Sequence, residues 1–323
     1  MAFPGGEFEV RGGVFAFDAQ TGALAWTSYM TPESLPSVPS WTGNSLATGG
    51  APVWTTPAVD PALGLIYVTT GNAAPDLNGI HRAGDNLYAA SIVALDVNTG
   101  KPQWHFQEVH HDIWDYDGPQ PAVLFSLNGV PAISHCQKSG DAFILDRRNG
   151  RPLHAVIETP VPSGPAWQHA APTQPMSSVQ ALTPTAVEFA PPGFTAAPRY
   201  TRPQPDPLLM APGPGGGCQW PPAAYSPRTN FLYYGTSYQP ANFQTFLNNT
   251  DGFASTANSF IPGVQARGIF GATNSITGRI VWKHDIPEQP ARSGMLVAGD
   301  LVFFGQNDGK FNAANAATGA ILW

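Results

Sequence analysis

Charged side chains are scarce in this sequence. Only 11% of the 323 residues are charged, against about 25% in an average globular protein. Lysine and arginine together number 15 and are scattered, and the net charge is −7. An acidic chain without a basic stripe lacks the electrostatic footprint of a protein that binds nucleic acid. We therefore expect no nucleic-acid partner.

Long apolar runs and cysteine motifs are also missing. No run approaches the roughly 18 apolar residues of a transmembrane helix, so we expect no membrane span in this chain. Cys136 and Cys218 are the two cysteines; they form no CxxC or zinc-ligand spacing and fix no redox compartment. Residues 1–6 contain no basic or apolar signal-peptide region.

Glycine and proline are abundant, at 34 residues each, which favours many turns and few long helices. Hydrophobic residues make up 42% of the chain, enough to bury a core. The length suits either two average domains or one large all-β domain. We expect short strands joined by turns.

One pattern occurs five times: an apolar strand, Asp or Asn, Gly four residues later, and a strand that ends in an aromatic ring. The copies end at Trp26, Trp104, His154, Trp282 and Trp323. Asp or Asn followed by Gly is typical of hairpin turns, because Gly readily adopts the positive φ that they need. Repeats in an all-β chain predict a propeller or a solenoid.

Other segments complete the expected architecture. Short β-branched or aromatic runs at residues 64–71, 230–235 and 296–305 predict further strands. Residues 159–217 are rich in Pro, Ala and Gly without periodicity, and we interpret them as an irregular excursion over one face rather than an interdomain linker. A propeller must close on itself, so a chain that stops at the last residue of a repeat, Trp323, is expected to be a fragment of a longer one.

Residues 110–119 concentrate the chemistry of the chain. They contain three aspartates and two histidines interleaved with Trp114 and Tyr116. Acids among aromatic rings cost desolvation energy unless a cation, a hydrogen bond or a shifted pKa compensates. Such clusters favour catalytic bases or metal ligands. The alternative is a turn whose aspartates cap backbone groups, which is the better interpretation of a lone Asp.

Six segments in sequence order resemble the quinoprotein alcohol dehydrogenase family, eight-bladed propellers that bind pyrroloquinoline quinone (PQQ) and calcium. They are Gly5-Gly6-Glu7-Phe8-Glu9-Val10-Arg11-Gly12, Gly49-Gly50-Ala51-Pro52-Val53-Trp54, Gly71-Asn72-Ala73-Ala74-Pro75, the stretch 110–119, Lys138-Ser139-Gly140, and Gly215-Gly216-Gly217-Cys218-Gln219-Trp220. The repeat that ends in Trp resembles the family's blade-docking tryptophan motif. The His-His-Asp and Lys-Ser-Gly forms resemble branches that act on alcohols, polyols or sugars more than methanol dehydrogenases.

The resemblance implies an all-β fold, a β-propeller of four-stranded antiparallel blades. Residues 1–323 would form a single partial PQQ-dehydrogenase-like propeller domain, with the Pro- and Gly-rich insertion at about 159–217. N-terminal and C-terminal blades of the family would be missing, together with its vicinal cysteines and an upstream cofactor-binding Arg.

The resemblance also implies a site. It makes Asp115 the general base and Lys138 the group that hydrogen-bonds the quinone oxygens. The implied cofactor-binding residues are Gly5, Gly6, Trp54, Lys138, Gln219 and Trp220. The implied metal ligands are Glu7, Asn72 and Asp115; three oxygen ligands are fewer than calcium takes, so the cofactor would complete the shell.

Several of these residues also have simpler interpretations. Asn72 after Gly71 is typical of a turn, and Trp54 of a core or docking residue. Lys138 alone would be a solvated hairpin lysine. Asp112 and Asp117 are expected to have structural roles, holding the loop and Lys138. Adjacent histidines in a strand face opposite sides, so at least one of His110 and His111 is expected to hydrogen-bond behind the site; Trp114 or Trp220 could line a substrate pocket.

The departures from the family pattern are Glu9, where a small residue is usual, and Gln219, where Asn is frequent. The sequence favours a periplasmic PQQ- and Ca²⁺-dependent oxidoreductase. It would oxidise an alcohol, polyol or sugar hydroxyl, transfer the hydride to PQQ, and pass electrons to a cytochrome c or a membrane quinone. Two alternatives stay open, a non-enzymatic propeller scaffold and an inactive truncated fragment of such a dehydrogenase.

Overall fold

The computed structural model describes residues 2–3, 10–33, 40–248, 252–287 and 289–323. Within these ranges it contains 25 strands, one four-residue helix, α1 (Ser45–Thr48), and one 3₁₀ turn (Ala166–Gln168). The all-β prediction is confirmed.

The first two blades follow one another along the chain as antiparallel sheets. The first has the order β1-β2-β3, formed by β1 (Ala2–Phe3), β2 (Gly13–Phe17) and β3 (Leu24–Tyr29). The second has the order β4-β5-β6-β7, formed by β4 (Ala58–Asp60), β5 (Leu65–Thr69), β6 (Ser91–Asp96) and β7 (Pro102–Gln107). This sequential up-and-down order is typical of propeller blades.

The third blade is followed by the excursion. The blade consists of β8 (Val123–Leu127), β9 (Val130–Cys136), β10 (Ala142–Asp146) and β11 (Arg151–Pro152). The region predicted to be irregular contains the antiparallel hairpin of β12 (Val156–Pro160) and β13 (Thr173–Ser177), and then β14 (Thr195–Ala196) and β15 (Leu208–Met210). The excursion therefore carries short strands of its own.

The fourth blade is interrupted by a hairpin. Its strands are β16 (Gly217–Cys218), β17 (Ala224–Ser226), β18 (Phe231–Tyr238), β21 (Arg267–Asn274) and β22 (Ile280–Ile286). The inserted hairpin, β19 (Ala241–Asn248) and β20 (Gly252–Asn258), pairs with β15 of the excursion. The fifth sheet is β23 (Met295–Ala298), β24 (Leu301–Gly305) and β25 (Phe311–Asn315).

The core lies between the faces of neighbouring sheets. In β6, Val93 packs toward the first sheet and Ile92 toward the third, and both are fully buried. In β21, Ile269 and Phe270 likewise pack toward the third and fifth sheets. Because successive strand residues point to opposite faces, a strand between two neighbouring sheets buries residues on both faces. This explains why the first five residues of β6 are all buried.

The aromatic ring at the end of each of the first four repeats joins one blade to the next. The indole Nε1 of Trp26, Trp104 and Trp282 donates to a backbone carbonyl in the turn of the following blade, that of Val97, Arg147 and Ala316 respectively, at 3.0–3.1 Å. His154 replaces Trp in the third copy and keeps the contact, because its Nε2 lies 2.8 Å from the carbonyl oxygen of Ser275.

Candidate functional site

Two aspartates in the segment after β7 meet a lysine from the turn between β9 and β10. The Nζ of Lys138 lies 2.8 Å from Oδ1 of Asp115 and also donates to Oδ2 of Asp117. Asp115 has a φ of +59°, in the left-handed region that non-glycine residues rarely adopt. The turn thereby directs the carboxylates of Asp115 and Asp117 to the same ammonium group, that of Lys138.

The three groups have different electrostatic surroundings. Burial and the charge of Asp117 raise the pKa of Asp115, although Lys138 acts in the opposite direction. Burial would raise the pKa of Asp117 too, but Lys138, Asp115 and the backbone N–H of Asn72 outweigh it and lower that pKa. Burial disfavours the charged form of Lys138, but the two carboxylates raise its pKa overall. The network therefore centres on an ionised Asp117 and a protonated Lys138.

The loop is held from inside by Asp112 and Arg82. The Asp112 carboxylate accepts hydrogen bonds from the backbone N–H groups of Trp114 and Tyr116, at 2.9 and 2.8 Å. Arg82, fully buried, donates to the carbonyl oxygen of Asp112 at 2.6 Å. Asp112 thus caps the turn, as the simpler interpretation of an aspartate here predicted.

Both aromatic residues of the loop are buried under the excursion. The Nε1 of Trp114 donates to the carbonyl of Thr201 at 2.8 Å, and the hydroxyl of Tyr116 donates to that of Pro212 at 2.6 Å. Trp114 therefore does not line a pocket. The excursion fixes the loop that carries Asp115.

The two histidines lie in a turn, not in the strand on which their expected arrangement was based. The ring nitrogens of His111 lie 2.6 Å from the carbonyl oxygen of Gly84 and 2.9 Å from that of Gln168. His110 contacts Gln107 and Glu158. Both therefore hydrogen-bond groups outside the Asp115–Lys138 pair.

The segment of Asn72 lies directly against the acids. The Oδ1 of Asp117 accepts the N–H of Asn72 at 2.7 Å. The N–H of Gly71 donates to the carbonyl of Pro52 at 2.8 Å, and a Cβ at Gly71 would stand 2.2 Å from Oδ1 of Asp117. The close approach of three segments requires glycine at this position.

Next to this network, two half-exposed tryptophans face one groove. Trp54 is 38% and Trp220 48% exposed. They belong to a groove of about 540 Å³ whose other lining residues are Thr55, Thr56, Pro57, Ala58, Pro121, Ala122 and Pro222. An aromatic surface of this kind suits stacking with a flat ligand. Trp54 is therefore not a core residue.

The glycine-rich segment before Trp220 packs on Lys138. A Cβ at Gly217 would lie 1.9 Å from the carbonyl oxygen of Lys138. A disulfide between Cys136 and Cys218 joins the same two segments. The side-chain Nε2 of Gln219 donates to the carbonyls of Pro214 and Gly216, at 3.1 and 3.0 Å, so it braces its own loop. A cofactor contact of Gln219 stays a prediction.

Sequence reasoning missed Arg199 and Asp141, which support Lys138 from behind. Arg199 pairs with Oδ2 of Asp141 at 2.7 Å and donates to the carbonyl of Ser139 at 2.5 Å. Arg199 comes from the excursion, which carries no motif, so no sequence signal pointed to it. The disulfide was also missed, although the presence of only two cysteines could have suggested that they pair.

The structure brings together Asp115, Lys138 and the Asn72 segment, and it places Trp54 and Trp220 in one groove. Gly5, Gly6 and Glu7 lie outside the described residues, so the predicted convergence of Glu7 with Asn72 and Asp115 stays a prediction. Among the described residues there is no group of three His, Cys, Asp or Glu side chains arranged to hold a metal ion.

Comparison with known proteins identifies the lineage of this site. A family model described as PQQ, glucose/ethanol/alcohol dehydrogenase, beta-propeller domain, matches residues 5–263. The chain belongs to this family. A second model, of the outer membrane protein assembly factor BamB, matches residues 250–323, which contain the last two repeats.

Individual relatives agree with the family. The chain is 31% identical over 347 residues to quinohemoprotein alcohol dehydrogenase ADH IIB of Pseudomonas putida, covering 99% of this chain and 47% of that protein. It is 32% identical over 355 residues to quinohemoprotein alcohol dehydrogenase of Comamonas testosteroni, with the same coverages. The solved structure of the Comamonas enzyme superposes with a TM-score of 0.75 at 30% identity, over 98% of this chain and 49% of the other.

A lanthanide-dependent methanol dehydrogenase of Methylacidiphilum fumariolicum (strain SolV) is 29% identical over 358 residues, 99% of this chain and 54% of that protein. The chain thus spans about half the length of the curated relatives that it matches. Among the described residues, no helix has both the length and the apolarity that a membrane span requires.

Proposed function

We propose that this chain carries the catalytic face of a PQQ-dependent dehydrogenase that oxidises the hydroxyl group of an alcohol, a polyol or a sugar. The observation that carries the proposal is the contact of Lys138 with Asp115, beside the Asn72 segment and the groove of Trp54 and Trp220. A propeller scaffold needs docking motifs but has no use for a buried cation between two acids. Membership of the family supports the same conclusion.

The groove fits a planar cofactor. Trp54 presents a half-exposed indole face, and Pro52 beside it lies against the segment of Gly71 and Asn72. A tricyclic ring stacked on Trp54 would be held by dispersion and by the electrostatic attraction between the two offset aromatic faces. PQQ is an anion, so the ammonium group of Lys138 suits it electrostatically.

The described residues supply part of the ligand set that a metal ion would need. Asp115 and Asn72 provide hard oxygen ligands of the kind that Ca²⁺ binds, with Glu7 as the third proposed ligand. One curated relative is named as lanthanide-dependent, and trivalent lanthanides also prefer hard oxygen ligands. When bound, PQQ would accept the hydride and the metal ion would act as a Lewis acid.

The residues of the chain would then carry out proton transfer and charge stabilisation. Asp115 would take the proton of the substrate hydroxyl as general base, and a cation bound beside it favours its ionised form. Lys138 would donate hydrogen bonds to oxygens that gain negative charge. Asp117 keeps Lys138 protonated and positioned. The acceptor that we propose for the electrons is a cytochrome c or a membrane quinone, in the periplasm; a disulfide is compatible with that oxidising compartment.

The test is a titration of the purified chain with PQQ, in the presence of Ca²⁺ or La³⁺, followed by quenching of tryptophan fluorescence and by dye-linked alcohol oxidation. Trp54→Phe should reduce the quenching. Asp115→Asn should lower the turnover rate by about 10²–10⁴-fold, as expected for loss of a general base, whereas exposed Asp300→Asn should leave it unchanged. Absence of quenching in the unaltered chain would reject cofactor binding and favour the scaffold or inactive-fragment interpretation.

A further inference from the structure

Arg292 lies just before a strand of its blade, close to the position that the two groove tryptophans have in theirs. Trp54 precedes β4 by four residues, Trp220 precedes β17 by four, and Arg292 precedes β23 by three. The N–H of Met295, which begins β23, donates to the carbonyl of Pro222 in the groove wall at 2.9 Å. The first strands of three blades therefore direct these residues to one face of the propeller.

The guanidinium group of Arg292 lies over the exposed ring of Trp220, with Cζ 5.2 Å from the ring centroid. In the described residues, its N–H groups donate only to neutral oxygen atoms. These acceptors are Gly215 O (2.9 Å), Ser237 Oγ (3.3 Å), Gln239 Oε1 (3.4 Å) and Ala291 O (3.5 Å). In the part of the chain that the structure describes, no carboxylate lies within 4.0 Å of it.

Among the other buried or partly buried arginines that the structure describes, Arg82 and Arg202 donate to neutral oxygens and pair with no carboxylate, whereas others have a carboxylate partner. Arg147 pairs with Asp60 at 2.6 Å, and Arg199 pairs with Asp141 at 2.7 Å. Burial lowers the pKa of Arg292, and no acid in the described part of the chain counteracts the effect. A partly desolvated cation without an anion is unfavourable in a ligand-free protein. Three of its four hydrogen bonds are longer than 3.2 Å and are therefore weak contacts that a ligand could replace.

We propose that Arg292 is an anion-binding residue of the groove and holds a carboxylate of the bound ligand while Trp220 keeps the guanidinium plane oriented. The inference rests on the proposed function, since the ligand shares the groove with Trp54. Two molecules could supply the carboxylate: the cofactor PQQ, which carries three, or a hydroxy-acid substrate. A planar guanidinium group binds a carboxylate through two parallel hydrogen bonds, which a lysine cannot reproduce.

The first experiment measures PQQ affinity by tryptophan quenching for the unaltered chain, Arg292→Gln, Arg292→Lys and the control Arg228→Gln. Arg228 is an exposed arginine that pairs with Asp300 away from the groove. If PQQ supplies the carboxylate, Arg292→Gln should raise the dissociation constant by about 10–100-fold. Arg292→Lys should raise it less, and the control should change it by less than about 2-fold.

Thermal unfolding distinguishes binding from a structural role. Because Arg292→Gln removes an unpaired cation, the melting temperature of the ligand-free variant should stay the same or rise, whereas the increase caused by added PQQ should shrink. A lower ligand-free melting temperature with an unchanged increase on adding PQQ would identify Arg292 as a structural residue and overturn the inference.

The second arm separates the two sources of the carboxylate. If PQQ affinity is unchanged in Arg292→Gln, KM is compared for a hydroxy acid and for a neutral alcohol of the same length. A rise confined to the hydroxy acid assigns the carboxylate to the substrate. If neither KM changes, Arg292 binds no carboxylate.

Failure of the proposed function would give a different result. If the unaltered chain binds no PQQ, isothermal titration with pyridine-2,6-dicarboxylate tests the groove without any redox chemistry. Binding that is lost in Arg292→Gln would support the anion site although the proposed function had failed. Absence of binding would overturn both.

Discussion

Glu108 and His135 form a fully buried pair behind the loop of Asp115. The Oε1 of Glu108 lies 2.7 Å from Nδ1 of His135, whereas Oε2 of Glu108 and Nε2 of His135 have no hydrogen-bond partner among the residues that the structure describes. Gly118 packs on both, since its Cβ would lie 3.1 Å from Cε1 of His135 and 3.4 Å from Oε2 of Glu108. The pair therefore supports the end of the loop that carries Asp115.

Removing one member should leave the other buried without a partner. Glu108→Ala should lower the free energy of unfolding by about 3–5 kcal/mol, the usual cost of breaking a buried pair. Glu108→Gln keeps a hydrogen-bonding group and should cost less, about 1–2 kcal/mol. Urea unfolding followed by circular dichroism measures both. Equal costs for the two variants would contradict this expectation and would show that the carboxylate charge, which both variants lack, matters and that the neutral hydrogen bond and the packing of the side chain do not.

Tyr67 provides a pH-dependent test of blade contacts. Its hydroxyl donates to the carbonyl of Arg147 at 2.9 Å, and burial followed by the charge of Asp60 raises its pKa to about 12. An unfolded tyrosine titrates near 10. The native state therefore keeps the proton longer than the unfolded state, and stability is lost as the pH rises from about 10 to 12.

The Tyr67→Phe variant should be less stable at neutral pH by about 1 kcal/mol, because it lacks the hydrogen bond. Between pH 9 and 11.5 the difference from the unaltered chain should shrink and then reverse, since phenylalanine has no proton to lose; two pKa units correspond to about 2–3 kcal/mol. Melting temperatures across this range measure the change. The same pH dependence of the melting temperature in both proteins would show that Tyr67 has the same pKa in the folded and unfolded states.

At the scale of the blade, each docking ring rests on a glycine of the next repeat. A Cβ at Gly150 would lie 2.6 Å from Cε3 of Trp104, but a Cβ at Gly278 would lie 3.2 Å from Nδ1 of His154. Both glycines have a positive φ, +75° and +70°. The smaller imidazole thus leaves more room than the indole does.

Substitution by alanine should separate backbone strain from this contact. Gly129→Ala is the matched control, because Gly129 has a φ of +85° and nothing lies within 4 Å of its Cβ position; strain alone should cost about 1–2 kcal/mol. Gly278→Ala should cost slightly more, and Gly150→Ala about 1–3 kcal/mol more than the control. Chemical unfolding measures the loss of unfolding free energy for each of the three variants and so ranks them. Equal costs at all three positions would exclude a steric role of the docking ring.

The repeats themselves were predictable from the sequence, because their turn chemistry is local. Strands predicted at 64–71 and 296–305 correspond to β5 and to β23 with β24. The partner of each docking ring was not predictable, since the carbonyl that accepts from Trp104 lies 43 residues away. The pairing of β15 with β19 joins the excursion to an inserted hairpin and has no repeat to indicate it.

At the scale of the whole molecule, the sequence predicted contacts between distant segments of the candidate site but not the interactions that hold these segments in place. Asp115 and Lys138 were predicted through the resemblance, and they are in contact. Arg199, which braces the Lys138 loop from the excursion, was missed because long-range ion pairs depend on tertiary packing. Arg292 was missed because its contacts with Trp220 and Gly215, 72 and 77 residues away, also depend on tertiary packing.

The disulfide between Cys136 and Cys218 is the covalent link across this assembly. It spans 82 residues and joins β9 of the third blade to β16 of the fourth, two residues from Lys138 and one from Gln219. In the chain-entropy model, a loop of that length contributes about 4–5 kcal/mol to stability by restricting the unfolded state. The same link fixes the distance between Lys138 and the wall of the groove.

Replacement of both cysteines by serine, or reduction with dithiothreitol, should therefore lower the free energy of unfolding by up to about 4–5 kcal/mol. It should also weaken PQQ binding, because the Lys138 loop and the Gly217 segment are then held by packing and the hydrogen bond from the N–H of Cys218 to the carbonyl of Gln137. The double-serine variant with added dithiothreitol is the control and should show no further change. Loss of stability with unchanged PQQ affinity, measured at a temperature where both proteins are folded, would restrict the disulfide to a role in folding.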